Sequence, residues 1–449
     1  MLNPLTKQDN EFYLDALVDW FQQFDEHESI EKFSRAELNE YHAFCLSGLL
    51  QYVTENSTYY AKKFNNLKAE VALDNYLEFF EQVPFSTKDE IRTSYKDMHV
   101  NKDIAQVCKS TGTTGGPPTY IGSTYNDLNK YYPAVEYKQL LGKIRNSVVA
   151  NALPYEMSSS GLIFHHSFQN SLNCNMLPVG KGGAYSDPKD ALQFMKDWDI
   201  NVLVTTPTYA IILSEIAERE NIDLREFKLD TLFLTGEGTS DSFRKRIEKI
   251  WNCKTNILFG SLEAQLVGIE CSNQNGIHLA EGNLYVEVIN PQTGEKLDNG
   301  MIGEIVVTTL IREGMPLIRY RTGDIGYLDE TECTCGVTSS RLVLRGRIHD
   351  QLVLENGSYS PFYLEDILMR NELVGNWYKF HIENKKLTIE VEPSNSEIDK
   401  EEIADAVINS FEFHLNEEIH VIVNNEVERA YSGKVKRIYY TEKQAVAGS

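Results

Sequence analysis

"NVLVTTPTYAIILSEIAERENIDLREFKLDTLFLTGEGTSDSFRKRIEKIWNCKTNILFG", residues 201–260, alternates short apolar runs with helix-length amphipathic ones. The runs "NVLVTT", "TLFLT" and "TNILFG" have strand length, and "YAIILSEIAERE" and "SFRKRIEKIW" carry helical spacing between them. Strands separated by helices of that length indicate crossover units and a parallel sheet, so the fold class is α/β.

Upstream, residues 11–80 space their large apolar residues as helices do, for example Leu46, Leu49, Leu50 and Val53, and predict an outer helical layer. Downstream the character changes near residue 283. "LYVEVINPQTGEKLDNGMIGEIVVTT" places two strands around a turn-rich connection and predicts an antiparallel pair, hence a β-rich subdomain. After "RLVLRGRIHDQ" the chain predicts a helix near 361–371, a hairpin in "WYKFHIENKKLTIEVEP", a helix near 397–413 and a strand in "EIHVIVN". The expected organisation is a large N-terminal domain, 1–348, with parallel-sheet α/β layers and the β-rich subdomain, and a small α+β C-terminal domain, 349–449.

The chain has 449 residues, ample for a buried core and more than one domain. No stretch approaches the roughly 20 apolar residues that span a bilayer, and the N-terminus lacks a basic start and apolar run, so no membrane association is expected and cytoplasm is the default. The formal charge of −23 repels polyanions and argues against a nucleic-acid partner, while leaving room for a local basic pocket. Seven cysteines, an odd number, do not suit a disulfide scaffold.

Short motifs carry the chemistry. In "KSTGTTGGPPT", residues 109–119, glycines permit backbone geometries that aim successive N–H groups at one anion, and Ser110, Thr111, Thr113 and Thr114 add hydroxyl donors. The stretch lacks the Lys-Ser/Thr pair of the common phosphate loop, and by itself it reads equally as a Gly/Thr surface loop. "LTGEG" (234–238) and "LFGSLE" (258–263) each end a predicted strand, the edge where open α/β sheets place ligands. "RYRTGD" ends in Asp324, suited to a ribose diol. "RGRIHD" supplies Arg347, and "YSGKVKR" places Lys434 in a Gly-flanked loop, where a lysine taken alone is most often simply solvated.

In that order the motifs resemble the acyl-adenylate-forming (AMP-binding) superfamily, and "VPFSTKDEIR" (83–92), "TTPTYA" (205–210), "HLAEGNLYVEVINPQTGE" (278–295) and "GEIVVTTLIREGMPLIRYRTGD" (303–324) resemble its phenylacetate-CoA ligase-like branch. The resemblance runs from about residue 75 to the end. It implies that Ser110, Thr111, Gly112, Thr113, Thr114 and Gly115 wrap the β- and γ-phosphates of ATP. It implies that Glu263 holds Mg²⁺, that Gly236 and Glu237 line the adenine and acyl site, and that Asp324 binds the ribose. Arg347 would touch ribose or phosphate, and Lys434 would be the catalytic lysine bridging carboxylate and α-phosphate. The small domain would pivot at His349, either a pH-sensitive hinge or a tolerated polar residue.

The same resemblance implies an adenylate-forming acid–thiol ligase that makes an acyl-adenylate and passes the acyl group to CoA. The alternatives are transfer to a carrier protein or an amine, and a degenerate nucleotide-binding module. A homodimer is compatible with the branch, though no sequence feature demands one. Two departures bear on this: Gly116 stands where the family often has lysine, and Glu355 and Asn356 stand where an arginine and a glycine are usual, which puts CoA as acceptor in question. The stretch "LPYEMSSSG" (153–161) covers the aryl pocket of phenylacetate ligases. Tyr155 and Met157 offer flat surface for a ring, whereas Glu156, Ser158 and Ser159 bring polarity, so a small acid with a hydroxyl or amino group is expected. Finally, "ECSNQNGIH" and "TECTCG" supply Cys271, His278, Cys333 and Cys335, three sulfurs and an imidazole. That set suits structural Zn²⁺, and the alternative is four unrelated side chains.

Overall fold

The computed structural model describes residues 13–22, 29–67, 71–110, 117–131, 137–183, 185–429 and 436–440. They form a mixed α/β protein whose residues gather into two compact units, Met1–Gly180 with Ile200–Val204 and Asn256–Leu344, and Lys181–Asp199 with Thr205–Thr255 and Arg345–Ser449. No helix of the described residues is long and apolar enough to cross a membrane.

In the first unit the expected helical layer is present as Tyr13–Gln22, Arg35–Asn56, Thr58–Lys63 and Tyr76–Phe80. Ser34 starts the long helix with a capping box: its hydroxyl accepts from Glu37 N–H while the Glu37 carboxylate accepts from Ser34 N–H. Leu38, Leu46, Leu49 and Val53 are buried against Tyr285, Leu310 and Leu317, so this layer packs on the β-rich part. The antiparallel pair read near residue 283 is Leu284–Ile289 against Gly303–Thr309, with Leu284 opposite Thr309. Tyr320–Asp329 follows Gly303–Thr309 in the sheet. Between these last two strands runs a connection, 310–319, in which every residue is buried.

In the second unit, N-caps set the helix starts. Thr206 accepts from Tyr209 N–H, and Pro207 occupies the first helical turn of Pro207–Arg219, where its missing N–H costs nothing. Ser240 caps Asp241–Trp251, and Ser360 caps Pro361–Met369, which also begins on proline. The C-terminal residues form a four-stranded sheet in the order Ile419–Val423, Lys386–Pro393, Val374–Glu383, Ile438–Tyr440. Its central hairpin is antiparallel, its two edge strands are parallel to their neighbours, and the helix Lys400–His414 precedes the first edge strand.

Candidate active site

In the first unit the Gly/Thr stretch joins two antiparallel strands, Ile104–Lys109 and Tyr120–Thr124, whose last pair is Lys109 with Tyr120. Residues 111–116, and with them Thr111, Gly112, Thr113, Thr114, Gly115 and Gly116, lie outside the described residues. The base of the loop is closed by two hydrogen bonds. Ser110 N–H donates to the Thr119 carbonyl at 3.0 Å, and Thr119 N–H donates to the Ser110 hydroxyl at 2.9 Å. The Ser110 N–H is therefore committed to loop geometry, while its hydroxyl acts there as acceptor and keeps its own proton to donate.

Thr119 is fully buried, and its hydroxyl donates to Glu263 Oε1 at 3.3 Å. The Lys88 ammonium lies 3.2 Å from the same oxygen. Glu263 is 4% exposed, and its carbonyl accepts from the buried Arg312 guanidinium at 2.6 Å. Among the described residues Oε2 has no partner, so the carboxylate keeps one hard oxygen available at the foot of the loop, the donor type Mg²⁺ takes.

The "LPYEMSSSG" stretch reaches the same place: Lys109 N–H donates to the Met157 carbonyl at 2.8 Å. Gly161 N–H bonds the Pro154 carbonyl, and a Cβ at Gly161 would stand 2.5 Å from that oxygen, so the turn needs glycine. Ser158 caps the helix Ser159–Leu172. Met157 is 68% exposed, while the hydroxyl of half-buried Tyr155 and His165 Nδ1 share a hydrogen bond at 3.0 Å. Burial pushes the Tyr155 phenol up to about 12 and holds His165 below its ordinary value, helped by His166, so both groups are neutral near neutral pH.

Asp324 sits in Tyr320–Asp329, 7% exposed, with its N–H on the Thr322 hydroxyl. Thr322 in turn donates to the Ile305 carbonyl, and Glu304 receives Gly323 N–H and pairs with Arg321. Gly323 has φ +75°, a left-handed geometry that glycine adopts without a Cβ penalty.

In the second unit Gly236 (φ +77°) turns the chain after Thr231–Leu234, leaving the Glu237 side chain only 13% exposed. Lys181 Nζ lies 2.8 Å from one carboxylate oxygen, and Thr208 N–H, in the first turn of Pro207–Arg219, donates to the other at 3.3 Å. Burial raises Glu237, but Lys181, Thr208 and the charge of Arg437 outweigh it and hold the carboxyl below its ordinary value. Arg347 ends the strand Arg341–Arg347, and His349 is exposed in the turn Ile348–Asp350. The unusual Asn356 is tied down by its amide to the Asn416 carbonyl and by its N–H to Glu417. Lys434 lies outside the described residues.

The four proposed metal ligands converge: one donor atom from each of Cys271, His278, Cys333 and Cys335 lies within 4.8 Å of the others. The sheet accounts for this. His278 pairs with Arg341 across the Ile277–Leu279/Arg341–Arg347 ladder, Cys271 follows the neighbouring strand Gln265–Glu270, and the loop before Arg341 carries the other two cysteines. His278 Nδ1 donates to the Ser339 carbonyl at 3.3 Å, which leaves Nε2 facing Cys335 Sγ at 3.3 Å. A backbone acceptor on the far nitrogen is what fixes the tautomer of a ligating imidazole. Burial pushes the Cys335 thiol up to about 12, with the facing sulfurs adding to it, whereas at Cys333 burial is outweighed by hydrogen bonds from the Cys335 backbone, Asn273 and the neighbouring sulfurs, which hold that thiol below its ordinary value.

Sequence reasoning missed Lys88, Lys181 and Arg312. Lys88 opens the helix Lys88–Met98, where the macrodipole disfavours a cation, and that mismatch was the readable signal. Lys181 stands between Gly180 and Gly182, and Lys434 follows Gly433. Arg312 gave no signal beyond its place in a motif.

No family model matches the chain. Phenylacetate-coenzyme A ligase of Thermus thermophilus is 28% identical over 396 residues, covering 85% of this chain and 88% of that one. The phenylacetate-coenzyme A ligase of Aromatoleum evansii is 26% identical over 430 residues, 92% and 96% of the two chains. Among solved structures, 2-hydroxyisobutyryl-CoA ligase in the postadenylation state with 2-HIB-AMP superposes with a TM-score of 0.82 at 22% identity, covering 95% of this chain and 96% of that one. The resemblance to the phenylacetate-CoA ligases thus extends along most of the chain, and the fold is that of the adenylate-forming ligases.

Proposed function

We propose that this chain, a relative of the phenylacetate-coenzyme A ligases on an adenylate-forming fold, uses ATP to activate a small carboxylic acid as an acyl-adenylate and transfers the acyl group to the thiol of CoA. The observation that carries the reading is the foot of the Gly/Thr loop, where Ser110 and Thr119 lock the hairpin and Thr119 hands its hydroxyl to the buried Glu263.

In the first half-reaction a carboxylate oxygen of the acid attacks the α-phosphorus, an O–P bond forms, and the bond to the departing pyrophosphate breaks. No general base is needed, because the acid is ionised near neutral pH. The demand is for fixed positive charge and aimed donors around the phosphates. Loop residues 110–115 would supply N–H and hydroxyl donors, Glu263 would hold Mg²⁺, which when bound neutralises phosphate charge, and Lys434 would bridge carboxylate and α-phosphate. Asp324 would hold the ribose, Arg347 would touch ribose or phosphate, and Gly236 and Glu237 would line the adenine and acyl site. In the second half-reaction the thiolate attacks the acyl carbon and AMP leaves. Residues 349–449 would act as the mobile domain pivoting at His349. The Tyr155–His165 pair, a polar handle beside flat surface, supports a hydroxy- or amino-substituted acid over unsubstituted phenylacetate. The Cys271, His278, Cys333, Cys335 set fits a structural Zn²⁺, with four ligands and no open position.

ATP–pyrophosphate exchange over a panel of aryl, hydroxyaryl and amino acids, followed by AMP release with and without CoA, tests the reading. Exchange with AMP release that rises on adding CoA is the expected result. Exchange indifferent to CoA would replace the acceptor with a carrier protein or an amine, and the absence of exchange with every acid would overturn the activity. Turnover of phenylacetate equal to that of its hydroxy and amino relatives would refute the substrate preference.

A further inference from the structure

The buried connection 310–319 carries three charged side chains, Arg312, Glu313 and Arg319, 4%, 8% and 2% exposed, which apolar packing alone does not explain; Arg319 pairs with buried Glu287 at 2.8 Å. Charges held in such a place need built partners. Arg312 Nη1 donates to the Glu263 carbonyl at 2.6 Å. One residue on, the Glu313 carboxylate accepts from the Thr124 hydroxyl at 2.5 Å. Its own N–H and that of Gly314 donate to the two oxygens of buried Asp127, at 2.6 and 3.0 Å, and Asp127 also receives Thr124 N–H. Thr124 is the last residue of the strand Tyr120–Thr124, which rises directly from Thr119. Through Arg312 the connection therefore holds the Glu263 backbone, and through the next two residues it holds the loop-bearing hairpin. Its outer side is pinned as well: the hydroxyls of Tyr52 and Tyr60 bond the carbonyls of Glu313 and Pro316, and Val100 N–H bonds Gly314.

We infer that Arg312 is a positioning residue for the metal–nucleotide site: by holding the Glu263 carbonyl it fixes the height of the Glu263 carboxylate against the hairpin, and the Glu313–Thr124–Asp127 knot ties the strand Tyr120–Thr124 to the same connection. The inference rests on the reading of Glu263 as the Mg²⁺ carboxylate. A carboxylate on a free backbone finds a phosphate-bound cation only after paying ordering entropy, whereas one held from below is preorganised for it. Truncating Arg312 removes that hold without touching either carboxylate oxygen, so the loss falls on metal affinity.

The test is Mn²⁺ binding, followed by electron paramagnetic resonance in the presence of α,β-methylene-ATP, on the full chain and on Arg312→Met, Arg312→Lys, Thr124→Val and Glu263→Gln, with thermal melting beside each. Losing one charge-assisted hydrogen bond predicts Mn²⁺ affinity about tenfold weaker in Arg312→Met, partial recovery in Arg312→Lys and a smaller loss in Thr124→Val. If Glu263→Gln weakens Mn²⁺ while folded Arg312→Met and Thr124→Val bind as the parent does, the positioning role is wrong and the Glu263 assignment stands. If Glu263→Gln itself leaves Mn²⁺ binding unchanged, the assignment fails and takes the inference with it. Should Arg312→Met not fold, Thr124→Val and Arg312→Lys decide by the same criterion.

Discussion

Replacing Arg246 by methionine probes how the C-terminal residues of the second unit are held. Arg246 sits mid-helix in Asp241–Trp251 and donates to four carbonyls: Met369 at 2.9 Å, Asn371 at 2.6 Å, Val374 at 2.7 Å and Gly375 at 3.0 Å. Met369 ends the helix Pro361–Met369, so a cation caps the negative pole of that helix. The favour is returned at the other end, where Glu365 and Asp366 accept the Ser240 and Ser242 N–H groups at the N-terminus of Asp241–Trp251, at 2.6 and 2.9 Å. Two helices thus cap each other. Hydrogen bonds to a charged donor contribute about 1.5–3 kcal/mol each, but the four share one guanidinium, water recovers part of the loss, and burial already depresses Arg246. The net cost of Arg246→Met is about 3 kcal/mol, roughly a hundredfold in the opening equilibrium of the contact. Amide hydrogen exchange at Ser240 and Ser242 reads that opening directly, since both N–H groups are covered only while the helices touch. Protection is expected to fall roughly a hundredfold. Unchanged protection at both amides in the folded variant would refute the reciprocal-capping argument.

The Glu237 carboxyl is depressed in the folded chain, so its contribution to stability is fully present above the ordinary value of 4.5 and is lost as pH falls through the lower folded value. Lys181→Met removes the partner 2.8 Å away. Burial then dominates, the carboxyl rises, and acid unfolding begins at higher pH; an acid midpoint that does not move would show that Lys181 does not set this carboxyl. For the proposed metal site, Cys335→Ser removes one of the four candidate ligands. It is expected to lower bound zinc per chain, measured by atomic emission, and to lower the melting temperature, which added Zn²⁺ then fails to restore. Parent protein that holds no zinc after metal-free purification and Zn²⁺ titration would sink the assignment.

Much of the architecture was legible because it rests on local periodicity. The strand–helix alternation of 201–260, the pair Leu284–Ile289 and Gly303–Thr309, and the helix, hairpin, helix and strand after residue 361 each follow from apolar spacing bounded by Ser, Thr, Pro and Gly punctuation. The gathering of Cys271, His278, Cys333 and Cys335 was legible for a different reason, since thiols and an imidazole on neighbouring strands suggest a shared purpose. What stayed hidden are pairings between distant charges. Lys88 with Glu263, Arg312 with the Glu263 carbonyl, and Arg319 with Glu287 join residues 175, 49 and 32 positions apart, and charge carries no periodicity that would announce its partner. The buried run 310–319 is the sharpest case. Its apolar residues predict burial, but nothing local says that Arg312 and Glu313 are buried with them.

These hidden pairings also bear on how a chain of formal charge −23 could hold a triphosphate. The long-range field of such a chain repels ATP, but screening confines it to about 8 Å at physiological ionic strength, so charge within bonding distance decides. In the first unit Glu263 has Lys88 at its carboxylate and Arg312 at its carbonyl; in the second, Glu237 has Lys181 in contact and the charge of Arg437 nearby. Glu263 and Glu237 therefore each carry a cation of their own, and neither adds a bare negative charge at the place assigned to it. Lys88 acquires a second meaning in this light. An ammonium beside Glu263 Oε1 holds the place of a cation, and a Mg²⁺ arriving with ATP would take over that carboxylate while leaving the lysine free to turn toward phosphate oxygens. The dipole penalty of a lysine in the first turn of Lys88–Met98 is then the cost of keeping a positive charge at the foot of the loop.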